Sequence, residues 1–193
     1  MQDVLDTLAN QLAIDGLRRN PKPIRARSFI SLALLFAPGI LFIVVIWLLK
    51  DVNARFAWAN DFTRSPWQFW GIGLFGIVAT LGGVGDWIFH KVYITVGPHE
   101  HHSHILALGA GGLIFIFMSF ASIADQPLYW LLPILIALLL TTTLICYDEF
   151  VFHIKRCKPI ETALHRMLVF GNAVALFIWL HWIFVEEIIH ASA

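Results

Sequence analysis

Carboxylate and histidine residues recur in this sequence as two copies of one pattern. Each copy has a carboxylate and a histidine four residues apart, a short link, a proline, and then a second pair with the same spacing. The eight residues are Asp86, His90, Glu100 and His104 in the first copy, and Glu149, His153, Glu161 and His165 in the second. Because residues four apart lie on one face of a helix, each pair can direct both side chains at one point.

Carboxylate and imidazole groups together are a typical ligand set for iron, manganese or zinc, whereas copper(I) prefers sulfur. Soluble di-iron bundles also direct carboxylates and histidines inward from four helices, although with a Glu-x-x-His spacing. We predict that the eight residues surround two divalent ions, with iron favoured and zinc or manganese as alternatives, and that some of them orient a ligand instead of binding directly. Glu100 and Glu161 are assigned as catalytic carboxylates. The alternative is a metal-free polar network, which would leave many buried charges to neutralise.

The composition indicates a membrane protein. The chain has 193 residues, of which 59% are hydrophobic and 13% are charged, and its mean hydropathy is +0.75. Soluble domains carry about 25% charged residues. The formal net charge is zero, so nucleic acid is not an expected partner. The expected partners are membrane lipids and a hydrophobic substrate.

Five apolar stretches are each long enough to cross a bilayer, which takes about 20 residues. The fold class is therefore predicted to be all-α, a polytopic bundle of five transmembrane helices, four of which form a pseudo-two-fold metal-binding bundle. The predicted spans are residues 29–49, 67–90, 98–121, 128–153 and 159–189. Residues 1–27 are predicted to be a cytoplasmic segment with an amphipathic helix, and 28–193 a single transmembrane domain with an internal repeat, 67–122 and 128–190.

Basic residues predict the orientation of these spans. A cluster between Arg18 and Arg27 precedes the first span, and the links after the second and fourth spans carry Lys91 and Lys155. Since cytoplasmic loops are enriched in Lys and Arg, we expect a multi-pass protein of the bacterial inner (plasma) membrane. The N-terminus would be cytoplasmic, the C-terminus periplasmic, and both copies of the pattern on the cytoplasmic side.

Several other polar residues lie near the pattern. His99, His101 and His102 in the first link are either additional ligands or a solvated segment at the membrane surface. Asp148 precedes Glu149 and is predicted to face another direction on the helix. It could bond Arg156 or Lys158, and a role as a metal ligand is the alternative. His181 is sixteen residues beyond His165, about 24 Å along a helix, and is predicted to pack near the outer surface.

Glycines are frequent in the second and third spans. They are Gly82, Gly83 and Gly85 in the second span, and Gly109, Gly111 and Gly112 in the third. Small residues let two membrane helices approach closely. We therefore predict close helix packing at both sets, with an opening for a lipid tail as the other interpretation.

The second copy reads YDEFVFH at 147–153 and ETALHR at 161–166. It resembles a group of uncharacterised bacterial multi-pass membrane proteins with a DEFxFH…ExxLHR signature, over mainly the last quarter of the chain, and this resemblance implies no particular activity. In ligand type and cytosolic placement the chain is also similar to the histidine-rich membrane di-iron desaturases and hydroxylases. Their HxxxH and HxxHH boxes are absent, and His99-x-His101-His102 is the nearest approach.

The first functional hypothesis is an integral-membrane di-iron oxidoreductase. It would act on a lipid or another hydrophobic substrate at the cytoplasmic side and would need an external electron donor. The second is a zinc- or manganese-dependent lipid hydrolase, in which the metal lowers the pKa of a bound water and a carboxylate acts as general base. The others are non-enzymatic: a metal-binding or transport protein, or a subunit that stabilises a larger complex.

Overall fold

The computed structural model describes residues 28–92, 98–153 and 159–185. The predicted amphipathic segment at 1–27 therefore lies outside the described residues, as do most of the basic residues used to predict orientation. All regular structure within the described ranges is helical. The main helices are α1 (Ser28–Leu49), α2 (Trp67–Val92), α3 (Pro98–Ile123), α4 (Leu131–Asp148) and α5 (Pro159–Leu180). Short 3-10 segments lie at Ala54–Asn60, Phe62–Arg64 and Pro127–Trp130.

Five helical stretches are long and apolar enough to cross a membrane. Within the described residues this confirms the predicted all-α fold with five helices that could span a membrane, and it is consistent with a multi-pass membrane protein. Large apolar side chains remain exposed along the helices, for example Ile43, Leu74 and Leu139. Exposed apolar surface of this extent is expected where lipid surrounds a protein.

Two helices do not end as regular α-helices. Helix α4 continues into a π-helical turn, Glu149–His153. Helix α5 continues into a second π-helical turn, His181–Val185. A π turn is joined by hydrogen bonds between residues five apart, so it accommodates one more residue than an α turn. Spacing rules for the α-helix therefore do not hold across these two turns.

The four helices that carry the repeated pattern form two close pairs. Helix α2 packs most extensively against α5, and α3 against α4, while α1 contacts α2 and α3. A two-fold relation that exchanges the α2–α3 hairpin with the α4–α5 hairpin would convert one pair into the other. Helices α2 and α4 end where α3 and α5 begin, so all four bring the pattern to one end of the bundle.

Glycine brings α2 and α5 together. A Cβ atom on Gly82 would lie 2.6 Å from the backbone nitrogen of Leu168, and one on Gly171 would lie 2.7 Å from the backbone nitrogen of Ala79. The predicted packing role is thus confirmed for Gly82, and Gly83 and Gly85 likewise face leucine side chains. The prediction is wrong for two glycines of the third span, since no described residue lies within 4 Å of a Cβ on Gly109 or Gly112.

The opposite end of the bundle is held by aromatic packing and by hydrogen bonds between elements. The Trp179 indole Nε1–H donates to Ser122 Oγ at 3.0 Å, and Arg55 Nη1 donates to the Ser122 carbonyl at 2.8 Å. Phe42 of α1 packs edge-on against Trp179, with ring centroids 4.8 Å apart. These contacts tie α1, α3, α5 and the 54–60 segment together and leave the other end for the carboxylate–histidine pattern.

Candidate metal centre

The first pair, Asp86 and His90, lies on the last turns of α2. His90 Nδ1 is 2.9 Å from the Asp86 backbone carbonyl and 3.4 Å from Asp86 Oδ1. Both side chains are mostly buried, with 16% of Asp86 and 10% of His90 exposed. Their spacing of one α-helical turn places them on one face, as predicted. When Nδ1–H donates to the carbonyl, the neutral ring carries its lone pair on Nε2.

His90 also reaches across to another helix. Its Nε2 lies 3.3 Å from Oε1 of Glu161, whose side chain is fully buried. Glu161 is in the first turn of α5, two residues after Pro159, which begins the helix as predicted. The close packing of α2 on α5 at Gly82 makes this contact possible. One residue from each copy of the pattern thus meets in the α2–α5 pair.

The α3–α4 pair contains a second contact of the same kind. His104 Nε2 lies 3.0 Å from Oδ2 of Asp148, and 3% of the Asp148 side chain is exposed. Asp148 faces another direction than the partly exposed Glu149, as predicted, and that direction is towards His104. The alternative in which Asp148 is a metal ligand stays a prediction, and Arg156 and Lys158 lie outside the described residues.

The two contacts belong to one cluster. The rings of His90 and His104 are nearly perpendicular, and their centroids are 5.5 Å apart. The structure therefore brings together five side chains from four helices: Asp86, His90, His104, Asp148 and Glu161. Four of these five are among the residues predicted from the sequence.

The remaining predicted residues lie at the same end. Glu149 is partly exposed at the start of the π turn, and His165 is partly buried in α5, one turn after Glu161. Glu100 and His153 are in described helical segments, but their side chains are outside what the structure describes. Of the link histidines, His99 and His102 are exposed. The side chain of His101 is also outside the described part.

The distances in the cluster fit neighbouring ligands of one ion. Two ligand atoms that are each about 2.0–2.2 Å from an ion lie roughly 2.8–3.6 Å apart at neighbouring positions in octahedral or tetrahedral geometry. The His90–Glu161 and His104–Asp148 separations of 3.3 and 3.0 Å are in this range. Among the side chains that the structure describes, no three form a group that by itself could hold a metal ion. The described part of the site thus consists of two imidazole–carboxylate pairs.

Sequence reasoning had a signal for Asp148. The first copy reads DWIFH at 86–90 and the second reads DEFVFH at 148–153. Aligned on their aspartates and histidines, the second differs by one inserted residue. A π turn is the usual way for a helix to absorb one inserted residue, and such turns are frequent at functional sites.

Comparison of the chain with protein-family models, with curated proteins and with solved structures finds no match.

Proposed function

We propose that this chain is an integral-membrane metalloenzyme that holds two divalent ions, with iron favoured, and oxidises a lipid or another hydrophobic substrate. The observation that supports it best is the cluster itself. Two imidazole–carboxylate contacts, each between two helices, lie side by side at one end of a membrane bundle. Ionisable groups in membrane spans are expensive and usually functional.

A neutral His90 ring that carries its proton on Nδ1 favours a cation between His90 and Glu161. With its Nδ1–H donating to the Asp86 carbonyl, the neutral ring directs the Nε2 lone pair at the Glu161 carboxylate. A lone pair and an anion repel each other, and a divalent ion between them would turn the repulsion into coordination. The backbone acceptor would also fix the ring orientation, as acceptors behind metal-ligating histidines usually do. A protonated imidazolium is the competing arrangement, and the metal measurement below separates the two.

The carboxylates are compatible with iron. Asp86, Asp148 and Glu161, together with imidazoles, form a ligand set that suits iron, manganese or zinc better than copper(I). A pair of iron ions held there would supply dioxygen activation, with electrons from an external donor. Glu161, fully buried beside His90, would hold or accept a proton close to the reacting atoms. The adjacent rings of His90 and His104 would hold the two imidazole–carboxylate pairs next to each other.

The position of the site at one end of the bundle would give a lipid access to it. The site lies at the end of helices whose flanks are apolar and exposed, so a hydrophobic substrate would approach along the bundle from the bilayer. Gly109, five residues along α3 from His104, lies about 7.5 Å further along the axis and about 140° around the helix. It is exposed, and no described residue lies within 4 Å of a Cβ there. This flank of α3 would leave room for an acyl chain near the end of the bundle that carries the site.

The decisive measurement is the metal content of detergent-purified protein. We expect about two iron ions per chain in the wild type and a loss of most of this iron in His90→Ala. His181→Ala is the matched control, because His181 lies at the far end of the bundle against the Trp67 ring and should leave the metal content unchanged. Zinc at the same stoichiometry would move the assignment to hydrolysis. Wild-type protein without stoichiometric metal would refute the proposal and leave an imidazolium–carboxylate network.

The reaction itself is tested by mass spectrometry of membrane lipids from cells that produce the wild type or His90→Ala. Desaturation removes two hydrogen atoms from a lipid, and hydroxylation adds one oxygen atom. We expect one of these products in cells that produce the wild type or His181→Ala, and neither product in cells that produce His90→Ala. Identical lipids in all three strains, with iron bound to the wild type, would refute lipid oxidation while leaving metal binding intact.

A further inference from the structure

We propose that Asp148, and not Glu149, is the metal-binding carboxylate of the second copy, and that the π turn Glu149–His153 brings the helix position of His153 back to the face of Asp148. This inference rests on the proposed metal site and concerns which residues build it. In the pattern as read from the sequence, Glu149 and His153 have the same spacing as Asp86 and His90. The structure differs between the two copies here, because Asp86 and His90 lie on a regular α-helix whereas Glu149 and His153 lie on a π turn.

The π turn changes which residues share a face. In α2, Asp86 and His90 are four apart on a regular α-helix. In the second copy, the π turn contains Glu149 and His153 as its first and last residues. Because the turn takes up one extra residue, the residue one turn before His153 is Asp148, five positions earlier. Asp148-x4-His153 across a π turn is thus the counterpart of Asp86-x3-His90 across an α turn.

Burial separates Asp148 from Glu149. Asp148 is buried among the helices and its Oδ2 lies 3.0 Å from His104 Nε2, whereas Glu149 is partly exposed. A buried carboxylate must be paired or bind a cation, since the cost of removing it from water is several kcal/mol even after relaxation. The histidine it meets comes from the first copy, as the histidine that meets Glu161 does.

The assignment makes the two copies equivalent. Exchanging the hairpins converts Asp86 into Asp148, His90 into His153, Glu100 into Glu161 and His104 into His165. Under this exchange the observed His104–Asp148 contact predicts one between His165 and Asp86. The predicted contact lies within the α2–α5 pair, which is already packed.

By sequence, each helix pair then carries two carboxylate and two histidine residues of the pattern, one carboxylate and one histidine from each copy. Two ions would have similar surroundings, one in each helix pair, and the adjacent rings of His90 and His104 lie between the two pairs. With Glu149 in place of Asp148, the α3–α4 half would lose its buried carboxylate.

The test compares two neighbouring carboxylates by cobalt binding to metal-depleted full-length protein in detergent. Cobalt(II) is a spectroscopic probe here, and its visible absorption reports the number and type of ligands without requiring activity. The variants are Asp148→Asn, which removes the charge and keeps the shape, and Glu149→Gln as the matched control one residue away. Asp148→Glu keeps the charge and is the second variant to measure if Asp148→Asn does not fold.

We expect two cobalt ions per chain in the wild type and in Glu149→Gln, with the same spectrum. Asp148→Asn should bind one ion normally and the other at least tenfold more weakly, and Asp148→Glu should bind two with an altered spectrum. Wild-type binding in both Asp148 variants, or loss of an ion in Glu149→Gln, would overturn this assignment and leave the metal site standing. A wild type that binds no cobalt would instead overturn the proposed function, and this inference with it.

Discussion

Substituting Gly82 by alanine tests the close approach of α2 and α5 with a single methyl group. The added Cβ would lie 2.6 Å from Leu168 N, 2.7 Å from Met167 Cβ and 2.8 Å from Leu164 O. Ordinary contacts begin at 3.4 Å, so the helices would have to separate by about 0.8 Å. Two of the three atoms are backbone and cannot rotate away. Overpacking of this kind typically costs 1–3 kcal/mol.

Gly76→Ala is the matched control, since Gly76 lies on the same helix and nothing lies within 4 Å of a Cβ at that position. Both variants gain up to about 1 kcal/mol of helix propensity, and this gain cancels in the comparison. We therefore expect Gly82→Ala to be less stable than Gly76→Ala by about 1–3 kcal/mol. In thermal unfolding of detergent-purified protein this corresponds to a difference of roughly 2–10 °C.

The same displacement should affect the metal site. His90 lies eight residues further along α2, and its contact with Glu161 crosses the α2–α5 pair. If the helices separate at Gly82, the affinity of the α2–α5 half of the site for metal should fall, while Gly76→Ala keeps wild-type affinity. Equal melting temperatures for the two variants would refute the close approach, and lower stability with unchanged metal affinity would refute its coupling to the site.

Two further predictions concern positions away from the site. Ser122→Ala leaves the buried Trp179 indole without its acceptor and should lower the free energy of unfolding in a denaturation assay by about 1 kcal/mol. Ser119→Ala is the control, because it loses a bond to the Phe115 carbonyl of its own helix and should be nearly neutral in that assay. Equal effects of the two substitutions would contradict the interhelical role of Ser122. Gly109→Ala should be as stable as the wild type or slightly more stable in thermal unfolding, because a Cβ there meets nothing and the helix gains propensity; a clear loss of stability would contradict the open surface at that position.

The sequence determined the architecture because a bilayer imposes it. Apolar stretches of about 20 residues must form helices in lipid to satisfy their backbone groups, so the five spans and the helix starts at Pro98 and Pro159 were predictable. The repeated spacing also identified the end of the bundle where the site lies. Composition and spacing do not tell which glycine meets a neighbour, and for this reason Gly82 was assigned correctly and Gly109 was not.

The details of the site depended on the tertiary structure. The sequence placed His90 and Glu161 in one site by their spacing within each copy, but only the packing of α2 on α5 pairs them with each other across the copies. The pairing of His104 with Asp148 instead of Glu149 depends on which face of α4 packs against α3, and the π turn after Asp148 decides which later residue shares that face. A turn with one extra residue is stable only where packing stabilises it, so the residue that faces the site is decided by the folded bundle and not by local spacing.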